Sequence, residues 1–226
     1  MPNNSSLTLR VLARLLTYPD AELRAHLGDL RAALHSEQAL GARRLDELDA
    51  LLIAMRNRDP IELEADYVQL FDRGRSTSLH LFEHVHGDSR DRGPAMIDLA
   101  QTYEKAGLYL AEGELPDYLP AVLEFVSTQP AQEARAFLGE MAHILQAIFS
   151  ALLKRESAYA SVLGALLEIA GEKAQAVKVA EEPPLDESWE EPAVFGGCST
   201  EGQARPGQAQ PVRIVRKAAA GAAQGV

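Results

Sequence analysis

The sequence predicts an all-α protein, a single globular bundle of roughly seven to nine helices followed by a flexible C-terminal tail. Three observations carry this. Apolar residues recur at three- and four-residue spacing along most of the chain, and no run alternates apolar with polar residues as a half-buried strand would. Leu and Ala are abundant, while aromatics make up only 6% of the 226 residues.

The elements follow in order. Leu9, Leu12 and Leu16 make the first buried stripe, Leu23, Leu27, Leu30 and Leu34 the second, and Leu45, Leu48, Leu52 and Met55 the third. Asp59-Pro60-Ile61-Glu62 reads as an N-cap, a proline at the first helical position and a capping-box acid. It opens a helix that carries Leu63, Tyr67, Leu70 and Phe71 and ends at Gly74. Gly93-Pro94 starts another, with Met96, Leu99 and Tyr103 inward and Gly107 closing it. The proline-bounded segment from Glu114 to Pro120 leads into a short helix ending near Ser127. Pro130 then opens what reads as the longest helix, with Leu138, Met141, Leu145, Ile148 and Leu152 in continuous register. A helix with Val162, Leu166 and Ile169 completes the periodic part. The domain is therefore expected over 1–180, and the acidic, then Gly-, Pro- and Gln-rich stretch over 181–226 reads as the flexible tail. Within that tail Leu185, Trp189, Val194 and Phe195 are apolar enough to dock on the bundle.

A net charge of −11 repels phosphate backbones and anionic lipid, so nucleic acid and membrane insertion are not expected, and a basic peptide would be steered inward. Cys198 is the single cysteine, which rules out an internal disulfide and fits a reducing compartment. Near the N-terminus Arg10 and Arg14 interrupt the apolar residues before a signal-peptide core or a membrane span is reached. Cytoplasmic localisation is the expectation. Arg43-Arg44 lies inside a periodic helix and reads as a solvated face.

The chemistry concentrates between Phe71 and Gly93, where His80, His84 and His86 sit among Asp, Glu, Arg and Gly side chains that are poor at building a core. His80-Leu-Phe-Glu-His84 matches the inverted zinc-peptidase pattern, in which two histidines one helical turn apart share a Zn²⁺ and Glu83 acts as general base. Against it stand the brevity of the segment between Ser78 and Gly87 and the need for a further ligand from elsewhere. The plainer reading is histidines that hydrogen-bond backbone or acids where helices meet. No phosphate loop, serine elbow or Cys-His pair is visible, so neither catalysis nor a bound cofactor or metal is expected.

Tyr67 to Leu99, followed by Tyr103, Gly107 and the Glu-Leu-Pro-Asp-Tyr-Leu-Pro segment at 114 to 120, resembles the respiratory nitrate reductase assembly chaperones, the NarJ or "delta subunit" type. These belong to the redox-enzyme maturation chaperones that serve molybdoenzymes. The resemblance reaches into the tail at Leu185 to Pro192. It implies an all-helical cytoplasmic chaperone that binds the apo catalytic (alpha) subunit of nitrate reductase, including its N-terminal leader-like segment. It also implies that the client is held until molybdenum cofactor and iron-sulfur cluster are inserted, before membrane attachment. The same superfamily includes chaperones for other molybdoenzymes, which remain the nearest alternative.

On this resemblance a client helix would lay its apolar face in a groove and meet acids at the rim. Leu70, Phe71, Leu79, Leu81 and Phe82 are candidate walls, with core packing as their competing role. Asp72, Glu83, Asp88 and Asp117 are candidate acids. Tyr67, Arg75, His80, His84, His86, Arg90 and Tyr118 complete the candidate client-binding set. Asp88 to Arg92 could instead form an internal salt-bridge network, and Asp117 could cap the helix carrying Val122 and Phe125. Histidines lining the groove would make client affinity depend on pH. The chain is expected to act as a monomer or dimer.

Overall fold

The computed structural model describes residues 5–87 and 89–177, so the expectations placed on Asp88 and on the tail lie outside the described residues. Among these residues the backbone forms eleven α-helices and one isolated antiparallel bridge, between His80 and Tyr118. Helix α1 spans Ser6–Leu15, α2 Ala21–Ala25, α3 Leu27–Glu37, α4 Ala42–Asn57 and α5 Pro60–Tyr67. A π turn over Val68–Asp72 and a 3₁₀ turn over Arg75–Thr77 lead to α6, Leu81–Val85. Then come α7 (Arg92–Lys105), α8 (Leu119–Thr128), α9 (Ala131–Glu140), α10 (Ala142–Lys154) and α11 (Ala160–Ala170).

Helix α11 is the hub. Val162, Leu163, Ala165, Leu166 and Leu167 are each 0% exposed, so the helix is apolar on most of its surface and packs against α1, α4, α9 and α10, with Glu168 alone exposed along it. Helix α1 buries Leu9, Leu12 and Leu15 against α8 and α3. The predicted start signals hold at Asp59, whose carboxylate accepts from the Ile61 and Glu62 amides ahead of Pro60. Gly107 closes α7 with φ +79°, and the Leu108 amide reaches back to the Tyr103 carbonyl at 2.9 Å.

The helix count exceeds the seven to nine expected because continuous apolar spacing hides changes of axis. The Leu23 to Leu34 stripe divides at His26 into α2 and α3. The supposed longest helix divides at Met141, where α9 and α10 bend by 65°. Leu138 and Leu145 are both 0% exposed on either side of that bend, so the bend keeps both halves against the core while preserving the spacing. Arg44 also departs from a solvated role: its guanidinium lies over Gly164, between Glu47 and Glu168, whereas Arg43 stays exposed. Among the described residues no single helix is long and apolar enough to cross a membrane.

Candidate functional site

Two separate stretches meet where the polar connection after α5 crosses the proline-bounded segment before α8. The Leu119 amide donates to the Leu79 carbonyl at 2.8 Å and the Leu81 amide to the Asp117 carbonyl at 3.0 Å, which fixes His80 beside Tyr118. The Asp117 side chain is 0% exposed. Its Oδ2 accepts from the Phe82 amide at 3.1 Å, and its Oδ1 lies 3.3 Å from His80 Nδ1. A helix of one and a half turns has few internal bonds, and α6 has its N-terminal donor satisfied by a carboxylate 35 residues away in sequence. The expectation that Asp117 caps its own following helix is thus corrected: it caps α6, and α8 has no side-chain cap.

The hydrogen bond to Asp117 raises the His80 pKa above the ordinary histidine value, with the Asp117 and Glu83 charges adding to it; partial burial and Arg92 oppose the rise. Arg92 is the first residue of α7. Its Nη2 lies 3.5 Å from Glu83 Oε1 and 3.8 Å from Asp117 Oδ2. A cation in the first turn of a helix runs against the helix dipole, so the two carboxylates compensate a placement that would otherwise be unfavourable.

Aromatic side chains back this polar cluster. Tyr67 is buried, donates to the Leu16 carbonyl at 2.7 Å, and lies 3.4 Å from the Tyr118 hydroxyl. The His80 and Tyr118 rings are 5.4 Å apart. Burial pushes the Tyr67 and Tyr118 phenols up, so both stay neutral over the physiological range. Tyr103 anchors the far end of α7 by donating to the Pro116 carbonyl at 2.8 Å.

The fold therefore gathers Tyr67, His80, Phe82, Glu83, Asp117 and Tyr118 from the candidate set. Phe71, Leu79 and Leu81 are core residues here, so in this conformation they pack inward rather than wall an open groove. Leu70 is half-buried, and its carbonyl accepts from the Thr77 hydroxyl. Asp72, Arg75 and Arg90 are exposed. His86 packs its ring against Phe82 at 5.4 Å.

His84 donates from Nε2 to the Ser78 carbonyl at 2.8 Å, while His80 precedes α6 and turns toward Asp117. The two rings serve separate protein acceptors, so the helical pair assumed by the zinc-peptidase pattern does not form. Among the described residues no group of three His, Cys, Asp or Glu is arranged to hold a metal ion. Arg92 stands outside the candidate client-binding set; it was expected only within an internal Asp88 to Arg92 network, and it pairs instead with Glu83 and Asp117. Its signal was a basic side chain next to Gly93-Pro94, at a helix start where acids are preferred.

A separate groove of about 970 Å³ runs between α4 and the α10–α11 pair. Its apolar lining includes Ala50, Phe149, Leu153 and Gly164, and Arg44 and Glu168 stand among its polar groups.

Residues 18–163 match the family model described as nitrate reductase delta subunit. The chain is 42% identical over 196 residues to the nitrate reductase molybdenum cofactor assembly chaperone NarJ of Escherichia coli K12, covering 82% of this chain and 83% of that one. It is 35% identical over 162 residues to a Bacillus subtilis protein assigned the same role, covering 71% and 86%. Its fold is similar to the crystal structure of an Archaeoglobus fulgidus protein assigned to redox enzyme maturation. That likeness has a TM-score of 0.52 at 21% identity and covers 74% of this chain and 94% of the other.

Proposed function

Because this chain belongs to the nitrate reductase delta subunit family, we propose that it is a chaperone for molybdenum cofactor assembly in a nitrate reductase. The observation that carries this reading is the family match, which spans the whole site from Tyr67 to Tyr118. The chaperone binds the apo catalytic subunit in the cytoplasm, through the client's N-terminal segment, and holds it while molybdenum cofactor and iron-sulfur cluster are inserted. It performs no catalysis itself. The local geometry supports recognition rather than chemistry, because the Asp117 carboxylate and one ring nitrogen each of His80 and His84 are engaged with one another and with backbone.

A basic amphipathic client segment has two features to meet here. Glu83 and Asp117 supply negative charge, and Val85 and Ile97, 51% and 59% exposed, supply apolar surface on α6 and α7, the helices that carry Glu83 and Arg92. Charge complementarity speeds encounter and sets register, while apolar burial supplies most of the affinity.

Pull-down of the catalytic subunit with and without its first few dozen residues tests this. Capture of the intact subunit and loss on truncation is the expected result. Equal capture of both would move the client to another surface, such as the groove between α4 and the α10–α11 pair. Preferential capture of the leader of an unrelated reductase would replace nitrate reductase as the client.

A further inference from the structure

We infer that Arg92 is an internal stand-in for a client cation, so that α7 latches the site shut until a basic client residue displaces it. This rests on the proposal that the client presents a basic N-terminal segment. Four features of the chain meet at this point.

Arg92 stands where helix electrostatics disfavour a cation, and it faces two carboxylates. Its separations of 3.5 Å from Glu83 and 3.8 Å from Asp117 are ion-pair distances, at and beyond the outer edge of hydrogen bonding. Such a contact is replaceable by another guanidinium or an ammonium group that approaches more closely.

Asp117 is completely buried and Arg92 is the cation on its Oδ2 side, so an external cation reaches that oxygen only by exchanging with Arg92. The helix that carries Arg92 is lightly held. Across its fourteen residues only Tyr103 is buried, with Leu99 packing partly against the core, both beyond the first turn that carries Arg92, and Ile97 faces solvent. Gly93 follows Arg92 directly, and a Cβ there would meet nothing within 4 Å. Lifting the first turn of α7 therefore exposes little new apolar surface, while Tyr103 keeps the C-terminal end attached through Pro116.

The exchange conserves charge. Before it, Arg92 is paired with Glu83 and Asp117; after it, the client cation takes that position and Arg92 moves into solvent, where its charge is hydrated. His80 and the Phe82 amide retain their bonds to Asp117 throughout, so α6 stays capped. The latch thus selects for a client that brings both a cation to replace Arg92 and apolar residues to cover the surface beside Ile97.

The test measures binding of a labelled peptide, matching the N-terminal segment of the catalytic subunit, to the full chain by fluorescence anisotropy. Arg92→Ala removes the competitor and is expected to tighten binding about three- to tenfold, as expected when a closed state no longer competes. Arg92→Lys keeps the latch and is expected to bind close to the unaltered chain. Hydrogen exchange on the unaltered protein supplies a readout that needs no variant: peptide binding is expected to speed exchange of amides in the first turn of α7. Unchanged or weakened peptide binding by Arg92→Ala, or slowed exchange in that turn, overturns the latch while leaving the client reading intact. Absence of peptide binding by both proteins overturns the leader reading and the latch together.

Discussion

Asp117 shows how much one side chain can hold together. A buried carboxylate is costly unless its oxygens are occupied, and here they serve the Phe82 amide, the His80 ring and the Arg92 guanidinium. Asp117→Ala leaves all three without their acceptor and is expected to lower stability by about 2–4 kcal/mol, read as an earlier urea midpoint. His80 makes a pH-dependent contribution. Its pKa is raised in the fold by the Asp117 bond, helped by Glu83 and opposed by Arg92. Its stabilisation is therefore complete below the ordinary histidine pKa and is lost as pH rises through the raised one. The stability margin of the unaltered chain over His80→Gln should be larger near about pH 6 than near about pH 9; equal margins would remove His80 from the account. The importance of Asp117 was legible as an acid between two prolines, but its partner was not. A carboxylate capping a helix from 35 residues away leaves no local pattern in the chain.

At the scale of elements, the passage from α5 to α6 depends on close backbone approach. A Cβ on Gly74 would lie 2.6 Å from both the Leu70 carbonyl oxygen and the Arg155 guanidinium, and would strike the Thr77 side chain. Gly74→Ala is expected to cost about 1–3 kcal/mol, because the π and 3₁₀ turns must shift to admit the methyl group. Gly107 differs: it has φ +79° with open space around it, so Gly107→Ala should cost only about 1 kcal/mol of backbone strain. Thermal unfolding of the two variants separates crowding from strain, and equal losses would contradict the distinction. The proline start of α5 and the glycine end of α7 were readable because each acts through its own backbone, whereas α5 stops at Tyr67 and gives way to a π turn before the expected end at Gly74. The bend at Met141 and the break at His26 were not, since heptad-like spacing records which residues face inward and carries no sign of axis direction.

For the whole molecule, the charge of −11 acts at longer range than any single pair. If a basic client segment is drawn in by that field, its association should slow and its affinity should fall between about 0.05 M and about 0.5 M salt, as screening shortens from beyond 10 Å to a few ångströms. Stopped-flow association at the two ionic strengths checks this, and a salt-independent rate would restrict the acids to a local role. By itself the sequence determined the helical class, the enclosed apolar stripes and the region where polar groups concentrate, because periodicity and residue solvation are local properties of the chain. Only the tertiary structure decided that Asp117 meets α6, that Arg92 joins Glu83 across the start of α7, and that Phe71 belongs to the core. Those outcomes depend on the directions in which whole helices pack, and a packing direction is set by many distant side chains acting together.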